Sequence, residues 1–186
     1  MATLWPLSLL GAGPVSLDAM RTYLRVDGRD DDEMIAAVLA SARQHIERRT
    51  RRLLCPQIWR MSLDAWPPNG RIRIPLIPFR RVAALRVFDA DGVTINLPLS
   101  RLTAVTGSEP AVVTIMERLT PGPDEGGIEL DVEAGYGVAS DVPAALTLAI
   151  MRFAALLYER RGDEATELHD AALDALLAPY HGVRLT

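Results

Sequence analysis

The chain has 186 residues, of which 49% are hydrophobic and 24% charged, and its formal net charge is -4. This composition is typical of a globular protein with a substantial core and excludes global disorder. The negative charge disfavours a function that depends on neutralising nucleic-acid phosphates, and the single cysteine, Cys55, excludes an intrachain disulfide framework and predicts a reducing compartment.

Two helices are predicted in the first third of the chain, over residues 16–25 and 30–52. Ser16 is a suitable N-cap for the first, and the apolar positions of the second step by three and four. The apolar segment before them, residues 1–15, lacks the basic residues of a signal peptide. We interpret it as an N-terminal arm that packs on the chain's own core or on a neighbour. The second helix ends in an arginine cluster, which consists of Arg48, Arg49, Arg51 and Arg52.

A β-rich region is predicted over residues 57–135, where prolines and glycines separate short β-branched runs. Its candidate strands are Gln57–Asp64, Arg71–Leu76, Val82–Asp89, Val93–Leu97, Ala111–Met116 and Ile128–Ala134. Asp89–Gly92 has the composition of a hairpin turn. The last strand alternates apolar and acidic residues, which predicts one buried face and one wet face. The wet face would hold Glu129, Asp131 and Glu133.

Helical periodicity returns over residues 143–161, and a last helix and tail follow over residues 163–186. Helices far apart in a sequence most simply pack together. We therefore expect an α+β fold: an antiparallel-type bundle of about four helices with a β-rich insertion between the second and third helices. Residues 16–162 would be the main domain of this fold.

No pattern in the chain indicates catalysis, a cofactor or a metal. There is no phosphate-binding GxxxxGK[ST] loop, and the three histidines lack metal-ligand spacing. Ser41 and His45 are four residues apart on a predicted helix, but neither an orienting acid nor an oxyanion site accompanies them. We therefore predict that the protein is not an enzyme, with no catalytic, cofactor-binding or metal-binding residue.

An ordered set of short motifs does point to a family. The set consists of Leu17–Asp27, Asp30–Ile35, Ala42–Glu47 with Thr50–Arg52, Gln57–Trp59, Ile74–Leu76, Pro78, Ala134–Gly137, Val142–Pro143 and Leu157–Arg161. In order and spacing the set resembles the phage head–tail connector (adaptor) proteins of the HK97 gp6-like superfamily, over residues 16–162. Arg51 departs from the pattern, because a Gly or Asn is common at that place.

The resemblance implies a structural protein in the neck of a tailed phage or of a gene transfer agent. Such a protein forms a ring, with twelvefold symmetry, beneath the portal and extends the DNA channel. Its partners would be other copies of the chain, the portal protein, a stopper or other neck or tail protein, and double-stranded DNA that passes through the lumen without sequence-specific binding. No membrane is involved. The location would be the head–tail junction of the particle, which is assembled in the bacterial cytoplasm.

The resemblance also suggests where partners bind. In this family the C-terminal segment typically reaches toward the portal, so the predicted portal-docking residues are Pro179, Tyr180, His181, Val183, Arg184 and Leu185. A closed ring joins two different patches of adjacent subunits. Opposite charge favours two sets as a ring interface: the arginine cluster Arg48, Arg49, Arg51 and Arg52, and the acidic residues Glu129, Asp131 and Glu133.

Three alternatives stay open. A different neck protein, such as a stopper or a tail terminator, tends to be dominated by β-structure, and the predicted helix content argues against it. A small enzyme would depend on Ser41 and His45. A free-standing cytosolic interaction module would have no neck partners.

Overall fold

The computed structural model of the chain describes residues 2–106, 108–160 and 171–180. Within them the chain forms eight strands and four α-helices, which are β1 Ala2–Leu9, α1 Leu17–Leu24, α2 Asp32–Thr50, β2 Gln57–Leu63, β3 Arg71–Ile74, β4 Phe79–Phe88, β5 Thr94–Asn96, β6 Leu102–Val105, β7 Ala111–Ile115, β8 Ile128–Ala134, α3 Ala144–Glu159 and α4 Ala171–Leu177. None of these helices is long and apolar enough to cross a membrane.

The chain divides into two compact units. The sheet unit consists of Met1–Gly11 and Pro56–Gly135, and the helix unit consists of Ala12–Cys55 and Tyr136–Thr186. Among the described residues, each unit contributes fifteen buried apolar side chains. Each unit therefore has a hydrophobic core of its own.

The sheet unit contains two antiparallel sheets. The larger has the strand order β1-β2-β8-β4-β5, and the smaller has the order β3-β7-β6. Alternation explains the burial, because β3 and β7 bury every second residue. The predicted hairpin turn joins β4 to β5, where the Asp89 carboxylate accepts the N–H groups of Asp91 and Val93 at 3.0 and 2.8 Å. Gly92 adopts φ 76° in this turn.

The predicted fold class is wrong. The molecule is mainly β-rich, with two antiparallel sheets, and it is not a helical bundle that carries a β insertion. The prediction failed because it treated the strands as an elaboration of the helices. In fact the strands bury as many apolar side chains as the helices do, and the N-terminal segment adds β1 to the larger sheet.

The helix unit packs α2, α3 and α4 around residues such as Ile35, Ile46, Leu146 and Leu173. Ser16 caps α1 as predicted, since its hydroxyl accepts the Ala19 N–H at 3.1 Å. The first eight residues predicted for the last helix, 163–170, lie outside the described residues. The predicted division into an arm (1–15), a main domain (16–162) and a C-terminal segment (163–186) stays a prediction.

Candidate functional site

The end of α2 holds the arginine cluster. Arg48 and Arg49 lie in its last turn, and cations there are stabilised by the negative end of the helix dipole. Arg51 is the C-cap, and its φ of 55° lies in the left-handed region that Gly and Asn tolerate best. The family that the chain resembles commonly has Gly or Asn at this place, and the left-handed conformation gives a physical reason for that preference.

Two arginines of the cluster contact the C-terminal part of the chain. Arg49 Nη1 lies 2.8 Å from Asp174 Oδ1 on α4. The guanidinium of Arg52 lies over the ring of Tyr180, 5.9 Å from its centroid, in a cation–π contact. The structure therefore brings a predicted portal-docking residue against the arginine cluster, two features that were predicted separately.

The other portal-docking residues divide by position. Pro179 and Tyr180 lie in the short 3-10 turn Ala178–Tyr180 that follows α4. The remaining four lie outside the described residues: His181, Val183, Arg184 and Leu185. In the arginine cluster, Arg48, Arg49 and Arg51 are exposed and Arg52 is half-buried. The contacts to the C-terminal part of the chain described above are made by Arg49 and Arg52.

His45, one turn before the cluster, is engaged by an aromatic side chain. Its ring stacks on Phe153 at a centroid distance of 4.2 Å. Burial, and then the charges of Arg49 and Arg48, lower the pKa of His45 and favour the neutral ring. No hydrogen bond joins Ser41 to His45, both of which are described residues. The geometry thus provides no Ser–His dyad.

The acidic residues of β8 lie in the other unit, and their side chains are covered. Asp131 is 5% exposed and Glu133 is 7% exposed, so the expectation of a wet acidic face is wrong. Arg60 Nε and Nη2 donate to the two Asp131 oxygens at 2.7 and 3.1 Å. Arg86 Nη1 donates to the same carboxylate at 2.7 Å.

Glu133 and Glu129 complete this network. Glu133 accepts hydrogen bonds from Arg80 Nε at 2.9 Å and from Arg81 Nε at 2.7 Å. Glu129 lies 3.1 Å from Arg60 Nη1. The β8 network is therefore the set Arg60, Arg80, Arg81, Arg86, Glu129, Asp131 and Glu133. Its four guanidinium groups exceed its three carboxylates, and the face is basic rather than acidic.

Strand register explains the network. In the antiparallel pairing Arg60 stands opposite Asp131, Arg86 opposite Glu129 and Arg81 opposite Glu133. Burial raises the pKa of Asp131, but hydrogen bonds from Arg60 and Arg86 outweigh it, so the pKa lies below its usual value. Arg60 and Arg86 lie within predicted strands, whereas Arg80 and Arg81 are adjacent residues that precede the predicted start at Val82. No role was predicted from the sequence for any of the four.

Metal binding has no geometric support in the described part of the chain. No group of three or more His, Cys, Asp or Glu side chains is arranged there to hold a metal ion. Burial raises the pKa of the Cys55 thiol, which favours the protonated form over a nucleophilic thiolate.

Comparison with known proteins gives matches only at the level of structure. No protein-family model and no curated protein sequence matches the chain. The neck of an empty gene transfer agent (GTA) particle, computed with C6 symmetry, is similar with a TM-score of 0.80 and 25% identity, over 99% of this chain and 97% of that chain. The virion of a native GTA particle is similar with a TM-score of 0.77 and 28% identity, over 98% of this chain and 97% of that chain. The neck of a native GTA particle, computed with C12 symmetry, is similar with a TM-score of 0.72 and 27% identity, over 96% of each chain.

These similarities extend over both units, so the fold is that of neck components of phage-like particles. They confirm the predicted resemblance at the level of a phage-type neck or connector protein. They also confirm the prediction that the chain is a virion component.

Proposed function

We propose that the chain is a structural adaptor at the head–tail junction of a tailed phage or a gene transfer agent. It forms a ring beneath the portal, extends the DNA channel and joins the capsid vertex to the next neck component. The observation that supports this role is the similarity to a GTA neck component over 99% of the chain with a TM-score of 0.80. The particle is assembled in the bacterial cytoplasm.

The ring is built from identical subunits in a head-to-tail arrangement, in which two different patches of the chain meet. Two of the similar structures were computed with C6 and C12 symmetry. This supports a homo-oligomeric ring, and we propose twelve subunits. Double-stranded DNA passes through its lumen without sequence-specific contacts, in keeping with a net charge of -4.

The exposed part of the arginine cluster is the first proposed ring contact. Arg48 and Arg51 are exposed, whereas Arg49 contacts Asp174 and Arg52 contacts Tyr180. Arg49 and Arg52 would support the interface by holding the C-terminal segment against α2.

The β8 network is the second proposed ring contact, with a role that differs from the one expected. Glu129, Asp131 and Glu133 are bonded within their own sheet, so they would act by fixing arginines at the surface. Arg81 is the most accessible of these, with 65% of its side chain exposed. A neighbouring subunit would therefore meet guanidinium groups on this face.

Portal docking is proposed for the C-terminal segment. The cation–π contact with Arg52 holds the ring of Tyr180 in a defined position before docking. Aromatic and arginine side chains are the residue types that most often anchor protein interfaces. Pro179, Tyr180, His181, Val183, Arg184 and Leu185 would make this contact.

A stopper or tail terminator is a second candidate, and the two antiparallel sheets favour it more than the predicted helical bundle did. The two functions differ in their neighbours. An adaptor binds the portal directly, whereas a stopper binds below an adaptor that is already in place.

The proposed ring contact can be tested with Arg51→Glu. Every subunit of a ring carries the substitution, so the reversed charge is present at every interface. We expect the amount of the purified chain that assembles on its portal to fall by about tenfold or more. Native mass spectrometry would count the bound copies. Arg25→Glu is a matched control, because Arg25 is also an exposed helix C-cap, with φ 57°. Equal assembly by the two variants would contradict an interface role for Arg51.

A further inference from the structure

The N-terminal strand leaves one side of the larger sheet open. β1 pairs with β2 and is the first strand in the sheet order, so among the described residues its outer side has no partner. Leu7 and Leu9 are 43% and 54% exposed, and Leu10 is exposed as well. The first seventeen residues of the chain contain no charged residue.

An apolar edge of this kind is unusual in a chain that stays alone. Edge strands expose unpaired N–H and C=O groups, and proteins commonly protect them with charged side chains, prolines or bulges. In β1 the protection is limited to Pro6 and a bulge between Pro6 and Ser8. The segment Leu7–Leu10 follows that interruption without any charge of its own.

The opposite edge of the same sheet is also exposed and uncharged. β5 is the last strand in the order and pairs with β4, and its three residues are all exposed. Val93 and Ile95 are exposed apolar side chains. From Gly92 to Ser100 the chain has no charged residue.

We infer that the Leu7–Leu10 edge of one subunit pairs with β5 of the next copy, so that the larger sheets join edge to edge around the ring. This inference rests on the proposed ring. Because the two edges are different and lie on opposite sides of one sheet, their contact is heterologous and propagates in one direction, as a closed ring requires. Strand addition would satisfy backbone groups on both edges and cover the exposed leucines together with Val93 and Ile95.

A cysteine pair provides the direct test. Ser8→Cys and Asn96→Cys place thiols on the two edges at exposed positions, while the native Cys55 is buried. Within one chain the edges are four strand spacings apart, about 19 Å. A bismaleimide shorter than that distance can therefore link them only between copies.

We expect the double variant, assembled on the portal and treated with the bismaleimide, to give a ladder of covalent multimers on a denaturing gel. Each single variant, and the control pair Ser8→Cys with Asn69→Cys, would give no ladder. A ring that forms without a ladder would overturn the edge pairing and leave the proposed adaptor function standing. Absence of any ring, with or without portal, would overturn both.

A charged residue introduced on the β1 edge gives an independent test of the pairing. Leu9→Lys places a cation on the exposed strand, where it should leave the unfolding temperature of the isolated chain nearly unchanged. We expect ring assembly on the portal to fall by about tenfold or more. Assembly equal to that of the unaltered chain would contradict the pairing.

Discussion

Asp131 and Glu133 are buried to nearly the same degree as the apolar residues beside them on β8, and both accept hydrogen bonds from two arginines. A buried carboxylate without partners would be strongly destabilising, and a buried pair becomes costly when one member is removed. The network therefore makes the fold sensitive to single charge changes at this face.

Replacing Asp131 by Asn should destabilise the chain. The substitution keeps the shape of the side chain but removes the negative charge that Arg60 and Arg86 share at Asp131 and leaves them Glu129 as their shared carboxylate. We expect the free energy of unfolding to fall by about 3 kcal/mol, the lower end of the range for breaking a buried pair, because both guanidinium groups retain some exposure. Chemical denaturation measures this change. Glu125→Gln, in an exposed loop position, should change it by less than about 0.5 kcal/mol.

The same variant has a pH signature. Since the pKa of Asp131 is lowered in the folded state, its ionised form stabilises the fold at pH values above the ordinary carboxyl pKa. This contribution is lost as the pH falls through the lowered pKa. The Asp131→Asn variant should therefore lose less stability on acidification than the unaltered chain. Parallel acid profiles would contradict the assignment.

At this scale, the sequence predicted the alternation of the last strand but not the surroundings of its acidic side. Alternation is a local property of the chain. The arginines that cover Glu129, Asp131 and Glu133 come from β2 and β4, and their alignment depends on strand register. Register is set by long-range pairing, and a local pattern does not contain it.

At the scale of elements, all six predicted strands are present, and helices occur where the apolar periodicity predicted them within the described residues. β1 and β6 were missed. β1 contains Pro6, which is atypical of a strand interior, and β6 spans four residues, Leu102–Val105. Both become strands because a neighbouring strand supplies hydrogen bonds.

The loop before β8 packs closely against the end of β4 and the turn that follows it. Gly122 N–H donates to the Phe88 carbonyl at 2.9 Å. A Cβ atom on Gly122 would lie 2.2 Å from backbone atoms of Asp89 and Ala90. The structure packs this loop against the turn that joins β4 to β5.

Gly122→Ala should therefore strain this loop. Backbone atoms have little freedom to move aside, so we expect the free energy of unfolding to fall by about 1–3 kcal/mol. Chemical denaturation followed by intrinsic tryptophan fluorescence would measure the change, and Trp66 contributes a local signal because its Nε1 donates to the Leu119 carbonyl at 2.7 Å. Gly13→Ala is the control, since its nearest atom, Arg43 Cδ, would lie at an ordinary 3.9 Å. Equal stability of the two variants would contradict the close packing.

At the scale of the whole molecule, the error in fold class came from ranking the helices above the strands. Helical periodicity is easy to read, whereas the contribution of short strands becomes visible only when their buried faces are assembled. The family resemblance was more informative, because its motifs are spread over segments of both units. The interface residues stay predictions, since a single chain does not contain its partners.

The central claim is that the chain binds the portal as a ring, and electron microscopy of the purified chain mixed with its portal tests it most directly. We predict a ring of twelve copies at the end of the portal that faces away from the capsid, with the C-terminal segment directed toward the portal. The adaptor role would be contradicted if no copies bind the isolated portal. Binding only to a portal that already carries other neck proteins would contradict it in the same way.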